Sequence, residues 1–207
     1  DERAALPADQ RPDDLITLLV ETEIDGEPLD RRHLLGTCFL LLLAGIDTTW
    51  SAIGSSLWHL ATHPEDQARL RAEPDLIDSA VEELLRVYSP VTMAREVIAD
   101  VDVAGCPMKP GDKVLMSFPA ANRDPAQFEN PDEFIIDRER NRHVAFGSGI
   151  HRCLGSNLAR MELRVAIEEW LTRIPTFELA DPAAVTWTGG QVRGPRTIPV
   201  RWSVTQP

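Results

Sequence analysis

Apolar and small residues dominate the stretch from Arg31 to Thr62, with few polar interruptions. Asp30 precedes it and His63-Pro64 closes it, so the pattern predicts one long helix over about 31–62. Its centre is apolar on nearly all sides, which predicts a place in the middle of a core. Upstream, Asp13-Asp14 can cap a short helix through about Glu21, with Leu15, Ile16, Leu18 and Leu19 as its apolar residues. Asp25-Gly26 reads as a turn. Downstream, 64–72 predicts a short polar helix. Pro74 and Asp75 open another, to about Tyr88, with Leu76, Ile77, Ala80, Val81, Leu84 and Leu85 at helical spacing. Imperfect alternation of Val97, Val101 and Val103 predicts a strand over 96–104, and 113–118 a second, around a Pro110-Gly111 turn. From Asn122 to Gly149 no period holds, and irregular segments of that length usually serve function. A last long helix is predicted over about 154–173, followed by strand-like pieces in 176–202 around Gly189-Gly190. The fold class is mainly α with small β-sheets, α+β, and no internal repeat is visible.

Composition narrows the function classes. The 207-residue chain has a formal net charge of -12, which disfavours general nucleic-acid binding. Its three cysteines, Cys38, Cys106 and Cys153, are odd in number and widely spaced. That argues against a disulfide framework and a structural zinc site, and suits a reducing, cytoplasmic location. Cys38, on an apolar helix face, and Cys106, in a turn, read as structural. The longest apolar run, Cys38 to Ala44, falls short of the roughly 20 residues a bilayer requires, and no signal peptide is visible, so no membrane partner is expected. Residues 1–12 read as polar linker beside a truncation.

Three motifs carry chemistry. In Phe146-Gly147-Ser148-Gly149-Ile150-His151-Arg152-Cys153-Leu154-Gly155 a glycine-punctuated loop delivers a cysteine to the start of a helix. Unpaired N–H groups and partial positive charge favour thiolate there, although a lone cysteine beside a helix cap is usually core. Glu83 and Arg86 are three apart on one helix face and can pair, as many solvated surface pairs do. In Ala44-Gly45-Ile46-Asp47-Thr48-Thr49 an acid and a hydroxyl interrupt an apolar helix, a costly choice unless partnered or useful. Close helix packing with a locally bonded threonine is the alternative.

Phe-Gly-x-Gly-x-His-x-Cys-x-Gly resembles the haem-ligand signature of the cytochrome P450 family. The likeness runs from about Asp13 to Trp202 and extends to Asn122-Arg123-Asp124-Pro125 and Arg193-Gly194…Ile198-Pro199-Val200, as in soluble bacterial members. The family is about twice this length, so residues 13–207 resemble the C-terminal, haem-binding part of one P450 domain: long central helix, ExxR helix, cysteine loop and following helix.

The resemblance implies haem b with Cys153 as the metal ligand, and Ala44, Gly45, Arg95, Phe146, Gly147, His151 and Gly155 at the cofactor. His151 and Arg95 are implied propionate contacts. Asp47 and Thr48 are the implied catalytic pair, Thr48 ordering O2 and its waters and Asp47 relaying protons. Glu83, Arg86 and Arg138 form an implied structural lock, and Val91, Thr92 and Met93 line the substrate pocket. His143 is expected behind the site, and His33, His59 and His63 at the periphery. The implied activity is a monooxygenase that inserts one oxygen atom from O2 into a small apolar organic substrate. Its electrons come from a ferredoxin or flavodoxin-type donor, received at Arg138, Arg140, Arg142 and Arg152. The rival readings are a peroxygenase using H2O2, a non-catalytic haem-thiolate sensor, and an inactive fragment.

Overall fold

The computed structural model describes Glu2 to Ser203; residue 1 and residues 204–207, the ends of the two expected segments, lie outside the described residues. Residues 1–12, expected as linker, carry helix α1 (Glu2–Ala5) and a 3-10 turn (Ala8–Gln10). Helix α2 (Leu15–Glu21) is capped by the Asp14 carboxylate, which accepts the Thr17 amide at 2.9 Å. Strands β1 (Glu23–Ile24) and β2 (Glu27–Pro28) form a hairpin whose turn residues, Asp25 and Gly26, have φ of 54° and 82°. Helices α3 (Arg31–Thr62), α4 (Pro64–Ala72) and α5 (Ile77–Val87) follow, the last entered through a 3-10 turn at Pro74–Leu76. Then come β3 (Thr92–Glu96), β4 (Val101–Val103), β5 (Cys106–Met108), β6 (Lys113–Ser117) and α6 (Phe118–Ala121). An irregular stretch leads to a 3-10 turn (Gly149–His151) and α7 (Ser156–Arg173). Strands β7 (Phe177–Leu179), β8 (Thr186–Thr188), β9 (Gly194–Thr197) and β10 (Val200–Trp202) end the described chain. The chain forms two compact units, one up to Ile46 and one from Asp47 onward.

The core of the second unit follows from helical spacing. Ala80, Val81, Leu84 and Leu85 of α5 meet Leu163, Ile167 and Leu171 of α7, with Leu60 of α3, Leu70 of α4 and Phe177 of β7. Each fully buried leucine or isoleucine contributes about 1.5–3 kcal/mol. Gln67 is buried with them. Its amide donates to the Leu60 and Phe177 carbonyls at 3.0 Å each and accepts the Phe177 amide at 3.2 Å, joining α4 to β7. The Arg71 guanidinium donates to the carbonyls of Leu171 and Ile174, two acceptors the C-terminal end of α7 leaves open.

Several expectations need correction. The long helix is buried only in its C-terminal part, from Ser51 on; Leu35, Phe39, Leu40, Leu42, Leu43, Ile46 and Trp50 are exposed. Burial begins where β9 reaches the helix: a Cβ on Gly194 would stand 2.4 Å from Ser51 Cβ, so only glycine fits. By length and composition alone this helix is apolar enough to cross a bilayer, which the short run Cys38–Ala44 did not reveal. The strand expected over 96–104 is broken. Thr92–Glu96 pairs antiparallel with Lys113–Ser117, while Val101–Val103 forms its own hairpin with Cys106–Met108 across Ala104-Gly105. Cys106 therefore opens a strand and does not sit in the turn. The last long helix starts at Ser156, two residues later than expected.

His59, expected at the periphery, is fully buried instead. Its Nδ1 lies 2.7 Å from the Tyr88 hydroxyl and its Nε2 2.9 Å from Asp66. The ring packs on His63 and Phe134, with centroids at 4.1 and 4.0 Å. Burial pushes its pKa down to about 3, so the imidazole is neutral. With Asp66 as acceptor, the proton sits on Nε2 and the Tyr88 hydroxyl donates to Nδ1.

Candidate functional site

Glu83 and Arg86 are both 0 % exposed and paired at 2.8 Å. The sequence distance of three places them on one face of α5, and the irregular segment closes over them. Glu83 also accepts Arg138 Nε at 3.1 Å, the Ile135 amide at 2.9 Å and Asn141 Nδ2 at 3.0 Å. Arg86 donates to the carbonyls of Asn122, Pro131 and Glu133 at 2.7–2.9 Å. Arg138 adds bonds to the carbonyls of Glu129, Asn130 and Glu133. Burial opposes ionisation of Glu83, but the bonds from Arg86, the Ile135 amide and Arg138 outweigh it and hold the carboxyl below its usual range. Fixed donors around Glu83 and fixed carbonyl acceptors around Arg86 and Arg138 thus replace water, the condition under which a buried ionic cluster persists. Asn141 and Asn122 complete it. Asn122 donates to Ser89 Oγ at 2.6 Å and accepts the Val144 amide at 2.8 Å. Sequence reasoning marked Asn122 only as part of a family-like segment, with no role assigned, and missed Asn141.

The cysteine loop begins just beyond. Gly147 and Gly149 have φ of 71° and 69°, the left-handed region that favours glycine, and they fold the loop back on itself. The Cys153 amide donates to the Phe146 carbonyl at 2.8 Å and closes the loop. Gly155 caps α7, its carbonyl accepting the Ala159 amide at 2.9 Å. Cys153 and His151 are exposed, and beside them Ile150 is 97 % and Leu154 90 % exposed. Three side chains brace Phe146 and its flank. Glu82 accepts His143 Nε2 at 3.0 Å and Arg160 Nε and Nη2 at 2.5 and 2.9 Å. The Arg160 guanidinium lies 4.6 Å from the Phe146 ring centroid. Despite burial, the bonds from His143 and Arg160 bring the Glu82 pKa down to about 2. Sequence reasoning missed Glu82 and Arg160.

The remaining candidates divide. Ala44 and Gly45 lie exposed on α3 in the first unit, and a Cβ on Gly45 would meet open space. Asp47 and Thr48 are half-buried in the second unit. Asp47 Oδ1 is 3.4 Å from Arg196 Nη1 of β9, and Arg196 also lies 5.5 Å from the Trp50 ring centroid. Arg95, in β3, donates to the Ala94 carbonyl at 2.9 Å. Val91, Thr92 and Met93 are half-buried, and Val91 bridges to Val192, beside the Gly189-Gly190 turn. Arg140, Arg142 and Arg152 are exposed. Arg138 is not available to a docking partner: its side chain is 7 % exposed inside the Glu83 cluster.

The donor set fits a macrocyclic metal better than a bare ion. Among the described residues no group of three or more His, Cys, Asp or Glu gathers as a metal site. A single exposed thiol beside exposed Ile150, Leu154 and Leu158 suits a metal that brings its own equatorial donors in a flat apolar ring.

Comparison with known proteins follows the same line. The family model described as Cytochrome P450 matches residues 1–182. Probable cytochrome P450 127A1 of Sinorhizobium fredii is 39 % identical over 98 % of this chain and 49 % of its own length. Cytochrome P450 105C1 of a Streptomyces species is 45 % identical over 92 % of this chain and 50 % of its own length. The solved structure of the Bacillus subtilis 168 bacillaene polyketide synthase cytochrome P450 PksS superposes with a TM-score of 0.88 at 42 % identity, covering 93 % of this chain and 51 % of that one. The chain thus spans about half the length of the relatives it matches.

Proposed function

Because this chain belongs to the cytochrome P450 family of haem-thiolate monooxygenases, we propose that it is the cofactor-binding half of an enzyme that inserts one oxygen atom from O2 into a small apolar organic substrate. The observation that carries the proposal is the exposed Cys153 thiol, presented by a glycine loop whose backing is the Glu83–Arg86–Arg138 cluster. Haem b, when bound through Cys153, supplies the reductive activation of O2. The chain's own residues do the rest. Gly147, Gly149 and Gly155 let the loop lie close to a flat ring, with Phe146 packed at its start. His151 and Arg95 offer N–H donors to the propionates. The small residues Ala44 and Gly45 face the ring, and Asp47 and Thr48 handle protons and ordered water. Val91, Thr92 and Met93 present the substrate wall.

Electrons enter from a ferredoxin or flavodoxin-type donor in the cytoplasm. Arg140, Arg142 and Arg152 are the exposed cations on or near the cysteine loop, in a chain of net charge -12, and an acidic donor surface complements them. Cys153→Ala tests the central assignment. The thiolate-type Soret band of the ferrous-CO complex should vanish in the haem-loaded protein, and a band that persists refutes Cys153 as ligand.

A further inference from the structure

Glu82 and Glu83 are neighbours on α5, yet they serve different clusters. Glu83 holds the irregular segment, whereas Glu82 reaches α7 and the start of the cysteine loop. The Ala145 amide donates to His143 Nδ1 at 3.2 Å, so the ring proton is on Nε2 and is donated to Glu82 at 3.0 Å. The same carboxylate takes the Arg160 fork at two points, sharing Oε2 with His143. A fork so held is fixed in plane and direction. Its position is over the Phe146 ring, and the Phe146 carbonyl in turn holds the Cys153 amide.

We propose that Arg160 is a positioning residue for the cysteine loop, acting through Phe146 and held in place by Glu82. α5, α7 and the loop meet at this one guanidinium. Phe146 cannot move away without losing the cation on its face, and Arg160 cannot follow without breaking two charge-assisted bonds to Glu82. The loop is therefore set before any cofactor arrives, and Cys153 is offered at one place rather than over a range. The consequence for haem rests on the reading of Cys153 as ligand; the clamp itself involves only side chains of this chain.

Amide hydrogen exchange on the full chain, compared between the variants and the unaltered protein in the same ligation state, tests it, with the Leu84 and Ile167 amides of α5 and α7 as references for general stability. Arg160→Met should speed exchange of the Cys153 amide relative to those references by roughly tenfold, the scale of one partly desolvated cation–aromatic contact. Glu82→Gln should do the same, and the double variant should add little, because both act on one clamp. Arg160→Lys should restore part of the protection. If the Cys153 amide changes no more than Leu84 and Ile167, or if the two single effects add in full, the proposal is overturned. Should Arg160→Met not fold, Glu82→Gln and Arg160→Lys decide the question. The Cys153→Ala band in haem-loaded protein is read separately, so loss of the ligand assignment and loss of the clamp are distinguishable.

Discussion

Replacing Glu83 by glutamine keeps the shape of the side chain and removes its charge from a site where it is 0 % exposed. Arg86 and Arg138 would then stand buried with no carboxylate between them. Arg86 retains three carbonyl acceptors, but these dipoles do not neutralise a cation. Breaking a buried pair from one side costs about 3–5 kcal/mol. That is a large share of the ~5–15 kcal/mol by which domains are stable. Urea unfolding followed by tryptophan fluorescence measures it. With an m-value of about 2 kcal/mol/M, the midpoint should fall by about 1.5–2.5 M at unchanged m. Arg201→Gln, which breaks an exposed pair with Glu178, should leave the midpoint where it is. A Glu83→Gln loss under ~1 kcal/mol, the range of exposed pairs, would refute the claim that fixed charge holds the irregular segment on α5.

Two further outcomes follow from charge. His59 is neutral when folded, with its pKa down at about 3, and takes up a proton on unfolding near the ordinary value of about 6.5. Its contribution is therefore complete above about pH 6.5 and is lost as pH falls toward 3, at about 1.4 kcal/mol per pH unit. His59→Gln should flatten the fall in unfolding free energy measured between pH 6.5 and 5, and an unchanged slope would show that His59 is protonated in the fold. Charge reversal at Arg142 and Arg152 should slow reduction by an acidic ferredoxin several-fold at low salt, with the difference shrinking as salt screens it; stopped-flow rates that do not change would place the donor elsewhere.

Spacing showed only that Glu83 and Arg86 can pair on one helix face; that the pair is buried and joined by Arg138 came from the family resemblance. The cysteine loop was legible because its glycines and its cysteine are consecutive. His59 was not. Its neighbours in sequence are ordinary for a long helix, and its burial depends on Tyr88, Asp66 and Phe134 arriving from three other segments. Glu82 and Arg160 were hidden likewise, because a carboxylate and a guanidinium on separate helices carry no mutual signal until the helices pack. The strands 92–96 and 101–103 were confused because alternation marks a strand but not its partner.

Local order in the sequence by itself determined the extents of α3 and α4, the presence of α5, the family, and the residue types at Cys153, Glu83 and Arg86. Periodicity and consecutive motifs act over a few residues, and they survive without any tertiary contact. Only the tertiary structure decided that Arg138, expected in both places, is buried in the cluster and not open to a docking partner, that β3 pairs with β6 while β4 turns back on β5, and that Arg160 sits on Phe146. Burial, pairing and desolvated charge are properties of what comes from elsewhere in the chain, and packing alone brings those groups together.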